Sequence, residues 1–163
     1  MSKKGLGMPL PYDNHQDVVD FLYGNLRLKL KKSARPFLKQ NRTADSVKGK
    51  GEVVPDISLF SKMDFDKERG CWQYSDIVMS IEVVRNYGVD HFVESIEKLF
   101  KRCDTLREAF LYNYESKTWT RYSRQEDGNM ALPEESDFSE IFNLHLDKFA
   151  KVGDSIDDVL KLC

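Results

Sequence analysis

The run Asp76-Ile-Val-Met-Ser-Ile-Glu-Val-Val84 constrains the fold of this chain more than any other segment. It is almost unbroken in Ile, Val and Met. Such a segment reads as a strand buried on both faces, the pattern of a central strand in a sheet covered by helices. One carboxylate, Glu82, stands inside it. A second, Asp56, follows Pro55 at the head of another β-prone run, Ile57-Ser-Leu-Phe60. A carboxylate in a strand core is costly unless it is paired or binds a metal. Two of them on consecutive predicted strands point to one shared divalent cation. The alternative is structural: Asp56 caps a bulge and Glu82 pairs with a surface Arg or Lys.

The remaining elements follow from periodicity and breakers. A helix is predicted from Asp13-Asn14, both good N-caps, with Val18, Val19, Leu22 and Leu26 at helical spacing. Leu30 continues the row, and Arg35-Pro36 closes it. Phe37 to Gln40 reads as a short strand, and the polar stretch Thr43 to Gly51 as a turn. Glu52 to Phe60 is the next strand, with Pro55 marking an edge or bulge. Ser61 to Gly70 reads as a charged loop. Its acids Asp64, Asp66 and Glu68 are spaced as in a calcium loop, without the glycine that loop requires. After the strand Ser75 to Val84, Asn86-Tyr87-Gly88 is a break. Val89 to Cys103 then carries a helical stripe of Phe92, Val93, Ile96, Leu99 and Phe100. Arg107 to Tyr114 and Lys117 to Ser123 form a hairpin, and Asp137 to Phe149 holds a helical turn and a short strand. Ser155 to Leu162 is a final amphipathic helix.

This order specifies a mixed α/β (α+β) protein with one central sheet flanked by helices. Residues 13–163 form the domain, behind a flexible lead-in at 1–12. With 163 residues, 40% of them hydrophobic, the chain supports one real core. The three cysteines are widely spaced and form no CxxC pair, so neither a zinc knuckle nor a disulfide framework is indicated, and a reducing, cytoplasmic setting is expected. No apolar run approaches the roughly 18 residues of a membrane helix. The opening Met-Ser-Lys-Lys-Gly-Leu-Gly lacks a signal-peptide core.

Net charge is −2, which argues against a protein that simply coats DNA. The charge is unevenly spread. Arg27, Lys29, Lys31, Lys32, Arg35, Lys39, Arg42, Lys48 and Lys50 cluster with Asp45 as the only acid among them. Arg27, Lys31 and Arg35 are therefore candidate phosphate contacts, against the alternative of a solvated helix end and loop. No Gly-rich phosphate loop, GxSxG elbow or HExxH pair is present.

Several short motifs share an order: Asn14-His15-Gln16 before the first helix, Pro55-Asp56, Ile81-Glu82-Val83, then Leu106-Arg107-Glu108-Ala109-Phe110-Leu111-Tyr112 and Leu144-His145-Leu146-Asp147-Lys148-Phe149. Over roughly residues 14 to 149 this order resembles the PD-(D/E)xK nuclease superfamily, and within it the Uma-two family of restriction endonucleases. The resemblance implies a restriction-endonuclease-like fold and Mg2+- or Mn2+-dependent hydrolysis of phosphodiesters in nucleic acid, DNA above all. Asp56 and Glu82 would bind the metal. His15, in the family's histidine slot, would border the cleft. The superfamily's lysine two residues after the glutamate is replaced by Val84, so Lys98 on the second helix is the substitute. At about 100° per residue, Lys98 points away from the stripe of Phe92, Ile96 and Leu99. It is also placed to pair with Glu94 one turn back. Many nucleases of this fold act as dimers, so a homodimer is admitted. Two other readings stand beside the enzyme. One is a weakened or inactive module that binds nucleic acid or protein on the same fold. The other is an unrelated domain in which both acids are structural.

Overall fold

A computed structural model describes residues 11–41 and 54–150 of the protein. Helix α1 (Pro11–Lys29) leads into strands β1 (Leu38–Gln40), β2 (Ile57–Asp66) and β3 (Cys71–Val84). Helix α2 (Val89–Arg102) follows, then β4 (Glu108–Asn113), β5 (Thr118–Ser123) and β6 (Glu134–Glu135). The short strands β7 (Phe138–Ser139) and β8 (Leu144–His145) pair with each other before α3 (Asp147–Ala150). The first six strands form one mixed sheet in chain order. All neighbours are antiparallel except β3 and β4, which are parallel and are joined across the sheet face by α2. This is the predicted class, a central mixed sheet flanked by helices, and it is consistent with a restriction-endonuclease-like fold.

Strand β3 is the centre of the molecule, and every residue from Met79 to Val84 is buried. Its side chains alternate between two cores. Met79, Ile81 and Val83 pack with Val19, Leu22 and Leu26 of α1, with Ile57 and with Phe110. Val84 packs with Ile96, Leu99 and Phe100 of α2 and with Leu111 of β4. By the same alternation Ser80 and Glu82 stand on the α2 face. The alternation breaks lower in the strand. Leu59 pairs with Met79 but Phe60 pairs with Ile77, so Val78 is an extra residue in the ladder. The bulge sends Ile77 into the α2 core and Val78 toward the α1 core.

Three expectations are corrected. Helix α1 begins at Pro11, earlier than Asp13, because proline suits the first helical turn. It ends at Lys29, before Arg35-Pro36; Arg35 Nε donates to the carbonyls of Arg27 at 3.0 Å and Leu30 at 3.3 Å, which serves the open helix end. The segment Ser61 to Gly70 is mostly strand: β2 and β3 run on as a long hairpin closed by a turn at residues 67–70. Charged side chains are no obstacle there, since a two-stranded arm leaves them in water while the ladder satisfies the backbone. Phe65 and Trp72 face each other across it, ring centroids 5.2 Å apart. Asp66 Oδ1 accepts the N–H groups of Glu68 and Arg69, and Gly70 adopts φ +67°, so Asp66 forms the turn. The lead-in before Pro11, the turn at 43–51, the basic residues Arg42, Lys48 and Lys50, and the helix at 155–162 lie outside the described residues.

The far end of the sheet holds a buried ion pair that the sequence did not single out. Glu108 of β4 is buried and accepts from Arg121 Nη2 at 3.2 Å, from the Ser139 hydroxyl, and from the N–H groups of Glu140 and Ile141 at 3.1 and 3.3 Å. Arg121 also reaches Glu134 at 3.1 Å. The pair thereby ties the segment after β6 to the sheet. Removing one partner strands a buried charge, at about 3–5 kcal/mol. Arg121→Met alone is expected to lower the urea unfolding free energy by that amount, and the double change Glu108→Leu with Arg121→Met by clearly less. A single-variant loss below about 1 kcal/mol would show that the pair does not hold this region.

Candidate functional site

Proline decides where the β2–β3 ladder ends. The last paired residues at that end are Ile57 and Ile81. Continuing the register sets Asp56 opposite Glu82 and Pro55 opposite Val83. The main chain of Val83 faces β2, yet Pro55 has no N–H to give to the Val83 carbonyl. Two side chains take over. Asp56 Oδ2 accepts the Val83 N–H at 2.8 Å. His15 of α1 brings Nε2 to 2.9 Å from the Val83 carbonyl and 3.3 Å from Asp56 Oδ2. Both of those oxygens are acceptors, so Nε2 carries the hydrogen and donates. The main chain of Asp56 is fixed as well, its carbonyl accepting from Asn41 N at 2.8 Å.

With Asp56 opposite Glu82, two carboxyl groups share one face of the sheet. Facing residues of antiparallel strands lie about 4.5–5.5 Å apart, close enough for the two carboxyl groups to feel each other. Glu82 is only 3% exposed. Burial, followed by the neighbouring Asp56 carboxyl, pushes the Glu82 carboxyl well above its ordinary value of 4.5. Glu82 is thus the carboxyl group that its surroundings drive toward holding a proton. His15 is raised above 6.5, chiefly by its hydrogen bond to Asp56 and against the effect of its own burial. Nearby, on the same face, the buried Ser80 hydroxyl has no hydrogen-bond partner.

The structure thus brings together Asp56, Glu82 and His15, and it separates the other predicted residues from them. Arg27, Lys31 and Arg35 sit at the opposite end of α1; Arg27 is twelve residues from His15, about 18 Å along the axis. Lys98 is exposed and makes no salt bridge to Glu94. It lies about 160° around α2 from Phe100, whose ring meets Arg124 beyond β5. Lys98 therefore projects from the face of α2 that points away from the sheet, and it does not meet Asp56 or Glu82. His91 and His145 are apart from the site; His145 Nδ1 pairs with Asp137 at 2.8 Å. Trp119 is core, stacked on Tyr112, and Trp72 packs in the hairpin arm.

A cleft of about 360 Å3 opens beside His15 and Val83. Its walls are Val84, Tyr87, Gly88, Phe92 and Tyr114, with Arg85 alongside. Arg85 Nε donates to the Tyr114 hydroxyl. These residues were not predicted as a site. The signal in the sequence is Asn86-Tyr87-Gly88, which on its own reads only as a strand break. No helix among the described residues is long and apolar enough to cross a membrane. In comparison with known proteins, no family model matches the sequence and no curated protein matches it.

The two raised groups set a pH dependence of stability. A raised folded-state value means that the folded protein holds a proton the unfolded chain has lost. The contribution of Glu82 is complete below 4.5 and is lost as pH rises through its folded value. That of His15 is complete below 6.5 and is lost above it. The melting temperature is thus expected to fall between about pH 5 and pH 8. Glu82→Gln keeps the size of the side chain and a donor toward Asp56 without the buried charge. It is expected to raise the value at pH 8 by several degrees, the size of about 1–2 kcal/mol in a domain of this length. A lower melting temperature for this variant at pH 8 would contradict the protonated pair.

Proposed function

We propose that the protein is a metal-dependent nuclease that hydrolyses phosphodiester bonds of DNA, with Asp56 and Glu82 holding Mg2+ or Mn2+. The observation that carries this reading is the meeting of two carboxyl groups, one buried and driven to hold a proton, at the open end of the central strand. That is the state expected of a like-charge pair awaiting a cation. The donor set fits the group. Carboxylate oxygens beside the Val83 carbonyl suit a hard divalent ion. Among the described residues no cluster of three or more His, Cys, Asp or Glu side chains is disposed around one point. The other coordination places would thus belong to water and substrate oxygens, which magnesium ordinarily retains. When bound, the ion supplies charge neutralisation at phosphorus and a more acidic water.

The chain's own residues have separable parts in this reading. His15 positions Asp56 and fixes the Val83 carbonyl, so it is a positioning residue. Arg85 stands at the cleft ready for a phosphate oxygen. Lys98, the exposed lysine of α2, is the candidate to assist water or the pentacoordinate phosphate, which it could do only by reaching over from the solvent side of the helix. Arg27, Lys31 and Arg35 would touch only a nucleic acid long enough to follow α1. The order of motifs from His15 to Phe149 supports the same reading through its resemblance to PD-(D/E)xK nucleases. The cysteine pattern supports action in the cytoplasm.

A second reading, a binding module that has lost its chemistry, is favoured by two particulars. Val84, where the superfamily keeps lysine, is buried among apolar side chains. Asp56 Oδ2 is already engaged by Val83 N–H and His15.

Cleavage of plasmid DNA in Mg2+ or Mn2+, with chelator and Asp56→Ala as controls, separates them. The enzyme reading expects metal-dependent cutting that falls on the order of 100-fold in Asp56→Ala and in Glu82→Gln. It also expects Mn2+ to raise the melting temperature of wild type and not of Asp56→Ala. Equal cutting by wild type and Asp56→Ala would assign the activity elsewhere, and the proposal would fall.

A further inference from the structure

The cleft beside His15 has a composition that a phosphate site does not need. Its walls are aliphatic and aromatic: Val83, Val84, Phe92, Tyr87 and Tyr114. Tyr87 is 85% exposed, a large ring held at the rim where it buries almost nothing of its own. It follows β3 directly in a short 3₁₀ turn, Asn86–Gly88, so the end of the central strand fixes its place. Phe92 is set from below by the first turns of α2. The charged group beside these rings is Arg85. Its guanidinium lies 5.9 Å from the Tyr114 ring centre, and its Nε donates to the Tyr114 hydroxyl. At about 360 Å3 the cleft is within the size of small-ligand sites, about 300–1,000 Å3, and far too small for a duplex.

Flat apolar walls, a cation at the rim and two carboxyl groups across His15 fit a nucleotide better than any other compact ligand. A base offers two π faces to aromatic rings, and its phosphate offers an anion to Arg85. In a duplex those faces are already stacked on neighbouring bases, and the base must leave the helix to enter a pocket. We infer that the cleft takes one unpaired nucleobase of the strand whose backbone passes His15 and Asp56. Single-stranded DNA, or a strand with a base turned out, is then the substrate class of this site. This inference rests on the nuclease reading and deepens it. His15 is the hinge between the two parts, since it lines the cleft and also contacts Asp56.

The test is equilibrium binding of the full chain in chelator, by anisotropy of a labelled single-stranded oligonucleotide and of its duplex. Cleavage of both DNAs in Mg2+ is measured in parallel. Wild type is expected to prefer the single strand by about tenfold or more, the worth of one stacked base. Tyr87→Ala is expected to remove most of that preference. Because Tyr87 is exposed, this variant is expected to melt as wild type does, which separates lost stacking from lost folding. Tyr87→Phe, which keeps the ring, is expected to restore it. If single strand and duplex bind and are cut equally, and Tyr87→Ala changes neither, the base cleft is overturned while the nuclease reading stands. Single-strand binding that depends on Tyr87 without metal-dependent cutting upholds the cleft and removes the nuclease. Binding to neither DNA overturns the inference.

Discussion

Strand β3 has to be covered on both faces, and the rest of the structure is arranged to do that. Six consecutive buried residues, Met79 to Val84, can satisfy their backbone only in the interior of a sheet. Strand β2 takes one edge and β4 the other. The parallel pairing with β4 demands a crossover, and α2 supplies it while covering the second face. Helix α1 covers the first face with Val19, Leu22 and Leu26. Glu82 enters the interior because it belongs to this strand, at a position where the alternation gives it no exit to water.

The end of that strand is where structure and chemistry meet. Pro55 stops the ladder by lacking an N–H, and the unpaired main chain of Val83 is served by Asp56 and His15. The groups that close the sheet are thus the groups placed beside Glu82. Asp56 has a structural duty, as a strand cap, and a chemical opportunity, as one member of a carboxyl pair. The two are compatible because Oδ2 makes the structural bonds. The same strand end projects Arg85 and Tyr87, so the cleft and the acids share one scaffold.

Two buried glutamates make the contrast plain. Glu108 meets an arginine, a hydroxyl and two main-chain N–H groups, so its charge is fully compensated. Glu82 faces another carboxyl group and is driven to hold a proton. A compensated buried acid is architecture. An uncompensated one is a place where a cation lowers the free energy of the folded state, which is why Glu82, and not Glu108, marks the candidate site.

Much of this was legible in the order of residues. The apolar run of β3, the stripe of α2 and the hairpin of β4 and β5 follow from local periodicity, because side-chain direction repeats every two residues in a strand and every 3.6 in a helix. Pro55-Asp56 and Glu82 stood out for the same reason, as charges out of place in their pattern. What the pattern could not carry is register. Whether Asp56 falls opposite Glu82 depends on how β2 slides along β3. The bulge at Val78, which switches the facing of Ile77, depends on that pairing too. The continuation of the hairpin through charged residues, the burial of Glu108 against Arg121, and the reach of His15 from another helix to the Val83 carbonyl are likewise long-range. Local sequence set which segments must bury themselves and which two acids would then be under strain. Only the tertiary fold decided that the acids meet, since contacts between distant segments are chosen by the free energy of the whole packed sheet and leave no periodic trace in either segment alone.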